Sequence, residues 1–237
     1  MKRTLLLVLL TLSALRVSAQ ESDSVHFAEC HQISAAQFVA PSILITSGAL
    51  IHYVDGLRPI NTNVRDYVAD QHFARIHVDD YLQYLPMAAA LGLEFVGLET
   101  RHEFRDLLPL VAESYLIGGA VVLSVKELTH IQRPDASTFN SFPSGHTMTA
   151  FVGAEIIRRE YGSRYPLLAV GGYAVATSVG LMRIYNSRHW VADVLSGAGT
   201  AILSVAAAYW TYPALNKWLT SGKCRLHATP LALTLDF

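Results

Sequence analysis

Lys126, Arg133, Ser144, Gly145, His146, Arg183, His189 and Asp193 fall within one stretch of the chain, 126–193, between apolar segments. Their types can hold an oxyanion and move a proton or a phosphoryl group. Lys126 and Arg133 stand seven residues apart, two helical turns, so on a helix both project from one face. An anion between two such cations offsets their repulsion; Arg offers a planar fork to phosphate oxygens and Lys a point charge. Pro134 ends that helix. Ser144 is placed to cap the next one. Gly145 lets a ligand approach the backbone, and the free N–H groups of the helix start face an anion. His146 sits at the same helix start, where it can give or take a proton. His189 and Asp193 are four apart, hence on one helix face. The carboxylate can accept one ring N–H and leave the other ring nitrogen as a free lone pair, the tautomer that a histidine nucleophile needs. Arg183, six residues before His189, can reach the same phosphate.

Taken singly, each piece has a structural account. The cations can snorkel at a membrane edge, Ser144 can be an ordinary cap with a passing histidine, and His189–Asp193 can be a structural pair. Together they resemble the type 2 phosphatidic acid phosphatase superfamily, whose pattern is Lys-x6-Arg-Pro, Pro-Ser-Gly-His and Ser-Arg-x5-His-x3-Asp. The first two pieces match fully. In the third, Met182 stands where the family usually has Ser, and the eight residues between Pro134 and Pro143 form a shorter loop than is usual. The resemblance implies that His189 attacks phosphorus and forms a phosphohistidine. It implies that Asp193 orients His189 and that His146 protonates the leaving oxygen. Lys126, Arg133, Arg183, Ser144 and the Gly145 N–H then hold the equatorial oxygens. It implies no cofactor and no metal, the cations neutralising charge as Mg²⁺ does elsewhere.

The rest of the chain must position these groups. Of 237 residues, 51% are hydrophobic and 16% charged, against roughly 25% charged in an ordinary soluble domain. A net charge of −1 with no long basic run argues against a nucleic-acid partner. Residues 1–19 read as a secretory signal, from Lys2-Arg3 through a leucine-rich run to Val17-Ser18-Ala19, with an uncleaved anchor as the alternative. A polar arm follows over 20–37, then a membrane domain over 38–215 and a short mixed tail over 216–237. Cys30 and Cys224 are the two cysteines; in an exported protein they can pair, and otherwise they are free thiols. Apolar segments at 38–54, 82–98, 107–125, 147–157, 166–184 and 194–212 approach the roughly 20 residues that cross a bilayer. Nothing alternates like a strand. The expected fold is therefore all-α, an integral membrane bundle of about five to six helices.

Arg101 and Arg105, and Arg158, Arg159 and Arg164, mark two loops as cytoplasmic. The two motif loops then share the outer membrane–water interface. With a cleaved signal, six full spans would put them on the wrong side, so 38–54 is expected to be partial or interfacial. Val64, Tyr67, Val68 and Phe73 suggest a helix lying in the interface, and His72 and His77 read as surface residues. Glu94 is expected to pack, while Glu113 and Glu155 are candidates to tune the cationic pocket. The expected function is a metal-independent lipid phosphate phosphatase of the bacterial inner membrane, with a periplasm-facing site. Its substrate classes are lipid A phosphate, isoprenyl diphosphate or phosphatidic acid. The alternatives are a soluble periplasmic acid phosphatase of the same superfamily and a non-catalytic phospholipid-binding membrane protein.

Overall fold

The computed structural model describes residues 36–71, 74–221, 225–229 and 232–236. The signal, Cys30, Cys224, His72 and Phe73 lie outside them. Eight helices run in chain order among the described residues: α1 (Ala36–Tyr53), α2 (Arg58–Asp70), α3 (Asp79–Leu82), α4 (Leu85–Phe95), α5 (Phe104–Thr129), α6 (Gly145–Tyr161), α7 (Pro166–Tyr185) and α8 (Val191–Ser221). The bundle is all-helical, as its apolar runs predict. A short antiparallel hairpin, β1 (Arg225–Thr229) and β2 (Ala232–Asp236), follows in the tail, where the sequence offers no strand signal.

Local chemistry sets the boundaries. Proline stands in the first turn of α2, α4 and α7, where its missing N–H costs nothing. Ser144 caps α6 by accepting from the Thr147 N–H. His130 closes α5 in the left-handed region at φ 47°. Three helices are long and apolar enough to cross a membrane: Phe104–Thr129, Pro166–Tyr185 and Val191–Pro213. A fourth qualifies only if α1 and α2 count as one span broken by an 82° bend. That bend turns the polar 58–70 stretch away from the line of α1. The segment around 82–98 shortens to the 11 residues of α4. α6 carries Glu155, Arg158, Arg159 and Glu160 in its second half.

α8 is the axis of the bundle. α1 packs along it, and α5 and α6 also lie against it; α6 in turn meets α4 and α7. The core, built from Leu107, Leu110, Val152, Ile156, Tyr161, Ala201 and Val205, sits between these helices. Backbones come close wherever glycine allows it. A Cβ on Gly197 would fall 2.6 Å from the Ser144 carbonyl oxygen, and one on Gly199 would fall 2.7 Å from that of Pro41. A Cβ on Gly171 would meet nothing within 4 Å. Gly172 packs closely, an added Cβ falling 3.3 Å from Ile157 Cδ1. Gly197→Ala is therefore expected to cost about 1–3 kcal/mol of stability by overpacking, while Gly171→Ala costs nothing. Thermal unfolding of the two variants in detergent checks this, and equal midpoints would refute the close approach.

Antiparallel neighbours bring the C-terminal ends of α5 and α7 and the N-terminal ends of α6 and α8 to one end of the bundle. All eight candidate residues are at that end. Arg105, Arg158, Arg159 and Arg164 are at the opposite one. Glu155 belongs there too: it accepts from Arg158 Nε and Arg159 Nε at 2.7 Å each and from the Tyr173 hydroxyl. Ten residues into α6, it is about 15 Å from the helix start. Glu113 takes the Thr211 hydroxyl. Neither tunes the cationic pocket, because each is spent on a partner elsewhere.

Candidate active site

Asp193, in the first turn of α8, is fully buried and lies at the centre of the site. Its Oδ2 accepts from the Ser141 hydroxyl, from the Trp190 backbone N–H at 2.9 Å and from His189 Nδ1 at 3.1 Å. Its Oδ1 lies 2.7 Å from His52 Nε2. A carboxylate that collects this many donors stays ionised and fixed. His189 is thus held by Nδ1–H, and its Nε2 keeps the lone pair; the expected shared helix face is absent, because His189 stands in the turn just before α8. Burial lowers the His189 pKa to about 4, with Lys126 and Arg183 acting in the same direction and Asp193 opposing them. The imidazole is thus neutral at neutral pH.

The cations are held by loop groups. Lys126 Nζ donates to the backbone carbonyls of Asn140 and Ser141, the latter at 3.3 Å, and Arg133 Nε donates to Asn140 Oδ1 at 3.1 Å. The loop after Pro134 therefore folds back over both, and its shortness brings Ser141 onto Asp193. Ser144 N–H donates to the Asp193 carbonyl at 3.0 Å, which joins the second motif to the third. The Ser144 hydroxyl is buried and bonded to Thr147 as the cap. Gly145 opens α6, where the first-turn N–H groups have no helical acceptor.

Arg183 and His146 meet an acid pair that the motif spacing does not reveal. Arg183 Nη1 donates to Asp79 Oδ2 at 2.6 Å and to Asp80 Oδ1 at 3.3 Å. His146 Nε2 lies 3.0 Å from the same Asp80 oxygen. Asn186 holds Asp79 from the other side at 3.2 Å. Arg183 Nε is buried and has no acceptor among the described residues. Asp135 takes Arg188 at 3.0 Å and Arg75 at 3.3 Å. Burial alone would raise its carboxyl pKa; hydrogen bonds from Ser137 and Arg188 overcome this and hold it below the usual range.

All eight predicted residues gather at this end. Sequence reasoning missed His52, Asn61, Asp79, Asp80 and Ser141. A signal existed for three of them. His52 is a histidine at the end of an apolar helix, and Asp79-Asp80 is an acidic doublet just before Tyr81 and Tyr84.

These side chains gather at one end of an all-helical bundle. The profile of the PAP2 superfamily matches residues 42–217, and the chain belongs to that superfamily. Over 154 residues the chain is 37% identical to a lipid A 1-phosphatase of Porphyromonas gingivalis, covering 62% of this chain and 35% of that one. The chain thus spans only 35% of the length of that relative. The transmembrane PAP2 type phosphatidylglycerolphosphate phosphatase of Bacillus subtilis overlays with a TM-score of 0.52 at 19% identity, over 76% of this chain and 97% of its own. The LpxE structure of Aquifex aeolicus overlays with a TM-score of 0.49 at 19% identity, over 63% of this chain and 94% of its own.

Proposed function

We propose that the chain is a membrane phosphatase that removes phosphate from a lipid headgroup through a phosphohistidine. His189 Nε2 attacks phosphorus in line, forming the N–P bond as the bond to the leaving oxygen breaks. His146 gives that oxygen its proton. Water then attacks the phosphohistidine, His146 takes the water proton, and inorganic phosphate leaves with His189 restored. Asp193 balances the positive charge that His189 acquires while phosphorylated. Lys126, Arg133, Arg183, the Ser144 hydroxyl and the Gly145 N–H hold the equatorial oxygens, where charge stabilisation does most of the work. The three cations supply that charge without a metal.

The observation that carries this reading is the locked His189 tautomer, bonded through Nδ1 to a buried carboxylate beside three cations. The name of the Porphyromonas relative, a lipid A 1-phosphatase, supports ranking lipid A 1-phosphate first among substrates, with an isoprenyl diphosphate second. The envelope membrane, with the site facing away from the cytoplasm, fits the basic loops at the far end of the bundle.

Phosphate release from a panel of phosphorylated lipids in mixed micelles, with EDTA present, tests the proposal. Release from the lipid A 1-phosphate, unchanged by chelator, is the expected result. Release confined to small soluble esters would overturn the lipid reading, and loss of activity in EDTA would overturn the metal-free one.

A further inference from the structure

The second imidazole on Asp193 carries an inference that rests on the phosphohistidine reading. We infer that His52 is a positioning residue of the catalytic relay: a neutral imidazole whose Nε2–H holds Asp193 in the rotamer and charge state that serve His189.

The tautomer of His52 follows from a chain of hydrogen bonds. The Ala192 backbone N–H has one thing to do, and it donates to Asn61 Oδ1 at 3.1 Å. The amide of Asn61 is therefore oriented with its Nδ2 towards His52, 3.5 Å from Nδ1. An amide nitrogen only donates, so Nδ1 of His52 is the acceptor and its proton sits on Nε2. Nε2 then donates to Asp193 Oδ1 at 2.7 Å. His52 takes Oδ1 while His189, Ser141 and Trp190 share Oδ2, so the carboxylate cannot rotate without breaking a bond on each side. The His52 side chain is 9% exposed and its ring stands edge-on to Phe142, with centroids 5.1 Å apart. Its polar partners are Asp193 and Asn61, so it acts through Asp193. His52 comes from the end of α1 and Asn61 from α2, so the bend between these helices places both halves of the wire.

Charged groups around the relay come from several elements: Asp193 from α8, Lys126 from α5, Arg183 from α7 and Arg133 from the loop after α5. Removing the His52 donor leaves all of these in place. It leaves the Asp193 carboxylate with one hydrogen bond fewer to stabilise its charge, so the His189–Asp193 couple takes up a proton at higher pH.

A crossed pair of variants separates donor from packing. His52→Phe keeps a ring against Phe142 and removes the donor; His52→Gln removes the ring and keeps an N–H at the Nε2 position. For full-length detergent-solubilised protein, the measurement is kcat, KM and the pH profile on the lipid substrate of the wild type, with His189→Ala alongside. The expected result is that Phe lowers kcat about 10- to 100-fold, the worth of one hydrogen bond to an ionised group, with KM within about twofold. Its acid limb moves up by about one pH unit. Gln restores most of kcat and returns the limb to its wild-type position. An active Phe variant with an impaired Gln variant makes His52 a packing residue and overturns the inference. So does a loss of rate in both without movement of the limb, which is what a smaller folded fraction gives. If His189→Ala keeps its activity, the phosphohistidine reading itself fails, whatever His52 does.

Discussion

On the proposed mechanism His189→Ala is expected to lose at least about 10⁴-fold in kcat, because removal of a nucleophile costs rates of this order. The remaining cations still bind phosphate, so substrate will still saturate the variant. Truncating a buried imidazole leaves a cavity beside Asp193 but breaks only one of the four hydrogen bonds to that carboxylate. The fold is therefore expected to hold. Rapid-quench labelling with a ³²P-phosphorylated substrate checks the prediction directly: wild type shows an acid-labile, base-stable phosphoenzyme and the variant shows none. More than a tenth of wild-type turnover in a folded His189→Ala protein would end the mechanism proposed here.

The second large effect belongs to Asp193→Asn, an isosteric change. The carboxylate accepts on both oxygens, from His52 on one and from Ser141, Trp190 and His189 on the other. An asparagine has one accepting end. If its NH₂ takes the Oδ2 place, it faces the fixed Trp190 N–H, and His189 must turn its Nδ1 lone pair inward. The proton then sits on Nε2, the atom that has to attack. If the NH₂ takes the Oδ1 place, it opposes the His52 Nε2–H, which Asn61 has fixed. Either way a buried donor loses its acceptor and the positive phosphohistidine loses its counter-charge. A fall of about 10³- to 10⁴-fold in kcat is expected, comparable to the loss when a catalytic carboxylate is replaced by its amide. Steady-state kinetics checks it, and a fall smaller than about tenfold would show that the carboxylate charge matters little.

The residues of the site were legible from their types and intervals, but the helix faces were not: α5 ends at Thr129, so Arg133 and Pro134 lie in the loop after it, and His189 stands just before α8. A turn, not a shared face, brings His189 onto Asp193. The apolar runs that became α5, α7 and α8 announce themselves by length. Ser144 could be read as a cap from its neighbours alone. What was hidden came from segments without a period. His52 reaches Asp193 across 141 residues of sequence because α1 packs along α8 and the chain then turns sharply. Asp79 reaches Arg183 across 104 residues from a single helical turn. Contacts of that span are set by packing, and no local pattern records them. Glu155 erred in the other direction. A carboxylate in an apolar run points to a pocket only if no arginine of its own helix claims it, and Arg158 and Arg159 both do.

The acid pair on Arg183 and His146 gives the resting site the character of an ion-exchange resin. Such a resin is never bare; each fixed cation holds a mobile or hinged counter-ion, and an arriving anion is selected by how much better it satisfies the cation than the occupant does. Asp80 offers one oxygen to two donors. A phosphate monoester dianion offers three oxygens and twice the charge. A diester or a carboxylate brings a single charge, no better than the one it must displace. On the proposed function, this exchange would favour a terminal phosphate before any contact with the rest of the lipid.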